Sequence, residues 1–239
     1  MRLDCFLSRN TDCSRKSVKK YILQSKVKIN GTVCLDVSYK IKEDDVISLN
    51  GKVIDNIKNH VIALNKPENY ISSMVDERYP SLMRLIDSKY HKTYRLVGRL
   101  DYDTTGLIFL TDNGILNARL TSPKYEIEKK YLVKVNHLLK DSLVSSFSEP
   151  NDIGRGEITK PAKLEIIDSY SCYITIKEGK YHEIKRLFGK YNYDVISLKR
   201  VSFGPIELKD LEIGNYRVLS EEEYISLLRS VKMKVEEYL

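Results

Sequence analysis

Much of what would mark a binding chemistry is missing from this chain. It contains no tryptophan, four cysteines and four histidines in 239 residues. The cysteines (Cys5, Cys13, Cys34, Cys172) form no C-x-x-C pair, and the histidines at 60, 91, 137 and 182 are scattered. That spacing offers no zinc site, and four reduced thiols suit a cytosolic protein better than a disulfide framework. Apolar runs extend no further than four or five residues, as at 107–110, far short of the roughly 20 that span a bilayer. Asp4 and Arg9 interrupt the N-terminus where an export signal needs an apolar stretch. The expected compartment is the cytoplasm. A G-x-x-x-x-G-K-[ST] phosphate loop is absent too.

What is present is positive charge, unevenly spread. Of 40 basic and 33 acidic residues, the first thirty positions hold eight basic ones (Arg2, Arg9, Arg15, Lys16, Lys19, Lys20, Lys26, Lys28) against Asp4 and Asp12. Nearly all of the net +7 therefore lies in one-eighth of the chain. Such a block suits a phosphate backbone. On charge alone, a solvated lysine-rich surface remains equally open.

Residues 2–7 suit a turn or two of helix. Ser14 can cap a helix over 15–24, with Val18, Tyr21 and Ile22 on one face and Arg15, Lys16, Lys19 and Lys20 on the other. Residues 27–29 alternate as a strand, Asn30-Gly31 signals a hairpin, and 46–49 with Asn50-Gly51 predicts another. With RLDCFLS before it and KEDDVISL after it, V-x-I-N-G-T-V resembles the S4 RNA-binding domain over about residues 1–50. The resemblance implies RNA contact, carried by Arg2, Arg15, Lys16, Lys19, Lys20, Lys26 and Lys28.

The pattern divides the chain into a first domain at 1–55, a linker near 55–60 and a second domain at 60–239. In the second, strands are expected at 60–64, 107–111, 131–135, 162–167, 172–177 and 195–199. Helices are expected at 81–87, 115–120, 141–147, 182–191 and 220–232. They are too few and too irregularly placed for repeated βαβ units, which predicts an α+β fold on a mixed, largely antiparallel sheet.

The stretch GRLDYDTTGLIFLTDNG (98–114) places Asp101, Asp103 and Asp112 together without a histidine or cysteine. Gly98 and Gly106 bracket a short loop ahead of a buried strand, a position that can hold a side chain at a cleft. Arg99 would keep a neighbouring carboxylate ionised, and Asp112-Asn113-Gly114 suits turn chemistry. On these grounds a structural turn and a catalytic loop are equally open.

The same stretch resembles the signature of pseudouridine synthases with an N-terminal S4 domain. LNKPENYISS (64–73), LTSPKYEIEKKYLVKV (120–135) and EGKYHEIKRLFGKYNYDVISLKRVSFGPIEL (178–208) resemble that family's other segments in order. D-x-D-T-T-G-L with T-S-P-K and Y-H-E-I-K-R is most similar to its RsuA branch, which acts on bacterial 16S rRNA. The resemblance implies an isomerase that breaks a uridine's N-glycosidic bond and rejoins ribose to carbon 5, with no cofactor or metal. It makes Asp101 the catalytic carboxylate, Tyr131 the active-site tyrosine and Lys185 the basic partner. It also implies ribosomal RNA in a partly assembled small-subunit particle as partner, and a monomer.

Arg99, Arg186, Ile184 and Leu187 are the expected substrate-binding set. Asp101 is expected to be buried and compensated by Lys185. Adjacent helical side chains diverge by about 100°, which leaves Arg186 for a phosphate. Tyr131 offers a ring for the extruded uracil and a hydroxyl for proton transfer. His182 is expected to touch RNA or pack locally, and Lys66 to meet phosphate or stay solvated. Two other readings remain: a large-subunit rRNA synthase of the same family, and a noncatalytic S4-type RNA-binding or ribosome-assembly protein.

Overall fold

The computed structural model describes residues 2–11, 13–42, 44–54 and 61–237. The linker expected near 55–60, with His60, lies outside the described residues. The chain forms two compact units, one of residues 1–58 with 87–93, the other of 59–86 with 94–239. No local pattern in the sequence announces that 87–93 cluster with the first unit.

In the first unit, α1 (Leu3–Asn10) and α2 (Arg15–Leu23) accompany β1 (Val27–Ile29), β2 (Thr32–Val33), β3 (Ile47–Leu49) and β4 (Lys52–Val53). Ser14 accepts a hydrogen bond from the Ser17 amide, so α2 starts where a capping serine predicts. Both residues of Asn30-Gly31 and of Asn50-Gly51 have positive φ, as two-residue hairpins require. The strands pair antiparallel in the order β2-β1-β3-β4. Val18 and Ile22 of α2 pack into a core with Leu3, Leu7 and Val27. Arg15, Lys16, Lys19 and Lys20 are left in solvent.

The second unit contains β5 (Val61–Lys66), β6 (Arg95–Val97), β7 (Thr104–Thr111), α3 (Gly114–Thr121), β8 (Lys129–Val135), α4 (Ser142–Phe147) and β9 (Lys163–Ile166). After these come β10 (Ser171–Ile176), α5 (Glu183–Lys190), β11 (Val195–Phe203), β12 (Ile206–Glu207), β13 (Tyr216–Val218) and α6 (Glu221–Ser230). Its sheet runs β13-β5-β7-β11-β8-β10-β9, with β6 on β7 and β12 on β11. Every pairing is antiparallel except β7 with β11. This is the expected α+β architecture. Leu116 and Leu120 of α3 and Leu227 and Leu228 of α6 close its core over Leu107 and Phe109. No described helix is long and apolar enough to cross a membrane.

Local expectations fail at three kinds of place. The helix expected at 81–87 is a single 3-10 turn (Leu82–Leu85), ended by extended backbone at Ile86. Strands β6, β12 and β13 are not among the expected ones: each has only two or three residues, with no Asn-Gly turn beside it to mark a hairpin. Gly106 does not end the aspartate loop but lies inside β7. Its φ is +99°, and a Cβ there would stand 2.2 Å from the Arg200 carbonyl oxygen. Glycine is required because two backbones meet at that point. Asn113 likewise belongs to no turn: its side chain accepts from the Leu116 amide and caps α3.

Candidate active site

The aspartate loop is held from beneath by a lysine. Lys66, the last residue of β5, is wholly buried. Its Nζ donates to the carbonyls of Pro67 (3.1 Å), Asp101 (3.0 Å), Tyr102 (3.3 Å) and Thr104 (2.8 Å). Burial lowers its pKa to about 8, against the upward pull of the Asp103 and Asp101 carboxylates. Lys66 is therefore neither solvated nor placed for phosphate, because N-K-P begins inside a strand rather than a loop. Ser72 adds a second strut, donating from Oγ to the Leu100 carbonyl (2.7 Å) and accepting from the Leu100 amide (3.0 Å).

The Asp101 side chain is one-third exposed (33%), so the expected burial does not occur. Lys185 Nζ lies 3.7 Å from its Oδ2 and 2.5 Å from Asp103 Oδ1. His182 Nε2 lies 3.5 Å from Asp101 Oδ1. Partial burial opposes ionisation of Asp103, but the hydrogen bond and charge of Lys185 outweigh it and hold that carboxyl below its usual range. Water shares in stabilising Asp101, and Lys185 divides its attention between two carboxylates. The pair is therefore weaker than a buried one.

α5 separates Lys185 from Arg186 as its geometry demands. Lys185 enters the pocket. Arg186 points away and donates to Glu157 Oε2 (2.5 Å) and the carbonyls of Ile153 (3.0 Å), Gly154 (2.7 Å) and Tyr181 (2.9 Å). With its donors so committed it fastens the 153–157 loop and is not a phosphate contact. Leu187 is core, 1% exposed, and lines no part of the pocket. Ile184 does line it, with Leu100, Thr104, Ile176 and Leu198. Arg99 stands at the rim, exposed, and makes no ion pair with a described residue.

Tyr131 on β8 presents its ring to the same pocket and is 7% exposed. Its hydroxyl accepts from Arg200 Nη1 at 3.4 Å. Arg200 is itself buried, gives Nε to the Leu107 carbonyl (2.6 Å) and stacks 4.8 Å from the Phe203 ring centroid. Its Nη2 has no hydrogen-bond partner among the described residues. One lone pair of the phenol oxygen is thereby engaged, and its hydrogen remains available to a partner. Sequence reasoning missed Arg200. The available signal was an arginine in step with Leu198 on the inward side of an alternating strand.

The pocket wall includes a buried acid. Glu183 is 4% exposed and accepts from the Lys180 amide at 2.7 Å. Burial pushes its pKa up to about 7, and neighbouring Glu178 adds to the rise. Between its unfolded value near 4.5 and about 7, the folded state binds the extra proton, so this group lowers stability as pH rises through that window. Glu183→Gln is expected to stabilise the protein by about 1–3 kcal/mol at pH 8 and little at pH 4.5, read by denaturant unfolding at both.

In the first unit, Arg2, Arg15, Lys16 and Lys19 surround one hollow together with Asp4, which pairs with Arg2 at 3.0 Å. Lys26 covers the Tyr21 ring, while Lys20 and Lys28 are exposed away from that hollow. Among the described residues no group of three or more His, Cys, Asp or Glu side chains is placed to hold a metal ion.

Residues 60–190 match the RNA pseudouridylate synthase family, and residues 1–47 match the S4 domain. The chain is 38% identical to ribosomal small subunit pseudouridine synthase A of Haemophilus influenzae, over 96% of this chain and all of that protein. It is 41% identical to the protein of the same name from Pasteurella multocida, over 93% of this chain and 97% of that one. A crystal structure of a pseudouridylate synthase resembles it with a TM-score of 0.68 at 37% identity, covering 95% of this chain and 99% of the other. The chain belongs to the RNA pseudouridylate synthase family, isomerases of RNA, and carries an S4 domain ahead of its catalytic unit.

Proposed function

We propose that the protein converts a specific uridine of small-subunit ribosomal RNA to pseudouridine, with Asp101 as the reacting carboxylate. What supports the substrate is whole-length similarity to two small-subunit synthases. What supports the site is that one pocket gathers Asp101, Tyr131 and Lys185, and that Lys66 and Ser72 hold the loop before the reaction begins.

The chemistry needs an ionised carboxylate at the sugar or base, a place for the freed uracil to turn, and a proton carrier at carbon 5. Lys185 sets a positive charge 3.7 Å from the carboxylate. The Tyr131 ring gives the uracil a face, and Arg200 holds its hydroxyl through a 3.4 Å hydrogen bond. The extruded base costs least to free before its strand is packed into a finished subunit. A partly assembled particle in the cytoplasm is accordingly the proposed substrate. A monomer is the proposed form. Incubating 16S and 23S RNA with the enzyme, each as naked transcript and as partly assembled subunit particle, then mapping carbodiimide-resistant uridine adducts, tests the reading. Adducts confined to 23S favour the large-subunit alternative, and adducts in neither favour a noncatalytic binding protein.

Lys185 and Arg186 separate cleanly by effect. Lys185→Met is expected to slow single turnover at saturating enzyme by about 10- to 100-fold, with Lys185→Arg recovering part of the rate. Arg186→Met is expected to act through the fold, destabilising it by about 2–4 kcal/mol because Glu157 and three carbonyls lose their donor. If Arg186→Met stalls turnover without loss of stability, the assignment of the two side chains is reversed.

The basic hollow predicts a salt signature. Replacing Arg15, Lys16 and Lys19 together by glutamine is expected to reduce the slope of log K against log salt by about 2–3, one phosphate contact per residue. An unchanged slope removes this face from the binding surface.

A further inference from the structure

Two short series of ring contacts end next to Asp101, one at its neighbour in the chain and one at a side chain that touches it, and the residues assigned to the reaction use neither. In the first, the Arg78 guanidinium lies 5.5 Å from the Tyr79 ring centroid, and Tyr79 lies 4.1 Å from the ring of Tyr102, Asp101's neighbour in the chain, tilted 36° to it. In the second, Arg155 lies 5.2 Å from the Tyr181 ring centroid, and Tyr181 stacks on His182 at 3.9 Å and 14°. His182 in turn reaches Asp101 Oδ1 at 3.5 Å. Each series thus runs from an exposed arginine, over an exposed tyrosine (36% for Tyr79, 59% for Tyr181), to a second ring, that of Tyr102 next to Asp101 in the chain or that of His182 against its carboxylate.

Both series stand on fixed backbone. Asp76 accepts from Arg84 Nε (3.1 Å) and Nη2 (2.8 Å), which closes the loop before Tyr79. The Tyr102 carbonyl is held by Lys66 and by the Asn69 amide at 3.1 Å. Arg186, turned away from the pocket, ties down the loop that displays Arg155. Large rings kept in water at set positions do not contribute a core. The Tyr79 and Tyr181 hydroxyls donate to no described residue, so hydrogen bonding does not explain the placement either.

Extrusion of a uridine leaves two bases, one on each side, without a stacking partner. A tyrosine face replaces that contact whatever the base, and a guanidinium can exchange a ring for a phosphate. We propose that Tyr79–Tyr102 and Tyr181–His182 are stacking platforms for the two nucleotides flanking the target uridine. As each base arrives it takes the arginine's place over the outer tyrosine, and Arg78 or Arg155 turns to the phosphate. The proposal rests on the RNA isomerase reading and adds to it a recognition of neighbours by stacking rather than by base-edge hydrogen bonds.

The test uses full-length protein and RNA heptamers containing one uridine, with 2-aminopurine immediately 5′ or immediately 3′ of it. Wild type is expected to change the fluorescence at both positions. Tyr79→Ala and Tyr181→Ala are each expected to abolish the change at one position, opposite for the two variants, and to weaken binding roughly fivefold to a hundredfold. Tyr79→Phe and Tyr181→Phe should behave as wild type, because the ring rather than the hydroxyl stacks. No change at either position with wild type overturns the proposal. So does loss at the same position in both alanine variants, or phenylalanine variants as impaired as alanine. The heptamers need not react. Stacking as expected with no uridine converted in either ribosomal RNA would refute the proposed activity and leave the platforms standing; conversion without stacking would do the reverse.

Discussion

Asp101→Asn is expected to bring isomerisation below detection while RNA affinity stays within about threefold. The amide keeps the size and most hydrogen bonds of the carboxylate but neither attacks carbon nor accepts a proton. Removing a group that reacts differs from removing one that merely binds, so the loss should fall on the single-turnover rate at saturating enzyme. Asp103→Asn is the control. Its carboxylate competes with Asp101 for Lys185, at 2.5 Å against 3.7 Å. Without it the ammonium is free to move toward Asp101, and turnover is expected within about tenfold of wild type. A dead Asp103→Asn beside an active Asp101→Asn would mean that the wrong aspartate has been chosen.

The second large effect is expected at a residue that touches no substrate. Lys66→Met removes the donor shared by four carbonyls, three of them on the aspartate loop. The Asp101 and Tyr102 carbonyls keep an amide donor each, from Thr104 and Asn69; a carbonyl left unpaired costs about 1–3 kcal/mol, partly offset because a buried charge disappears. The loop is then free to shift, and a displacement near 1 Å at a reacting group costs about 100-fold in rate. Isomerisation is accordingly expected to fall about 100-fold, with a modest fall in melting temperature and RNA binding nearly intact. Because the folded pKa of Lys66 is lowered to about 8 from 10.5, the unfolded chain binds the extra proton between those values. This residue therefore makes wild-type stability rise with pH across that window, and Lys66→Met should abolish its contribution to the rise. Full turnover in Lys66→Met would show that the loop is held by other means.

The two Asn-Gly hairpins, the Ser14 cap and the strands around 131–135 and 172–176 are legible because local chemistry dictates them. The pocket was legible in part. Lys185 and Arg186 sit side by side on a helix, and only one can face inward; the partners on the 153–157 loop decide that it is Lys185. Leu187 looked like a wall because helical spacing puts it near Ile184, yet the core claims it. Lys66 and Arg200 were hidden for one shared reason. Each is a cation on the inner face of a strand, and what it serves is backbone carbonyl or a phenol brought from elsewhere by the sheet. No spacing along the chain encodes such a meeting.

The single parallel pairing in the catalytic sheet has a consequence in time. β7 carries the end of the aspartate loop, β8 carries Tyr131, and only β11 lies between them. Arg200 and Leu107, joined across that seam, are 93 residues apart. A nascent chain extended only to Lys190 already includes Asp101, Tyr131 and Lys185, yet lacks the strand that aligns them. Closing so long a loop is slow compared with forming the hairpins and helices of the first fifty residues. During synthesis the basic first unit can therefore be folded while the isomerase is still incomplete. A growing chain acquires its proposed hold on RNA before it acquires the means to alter it.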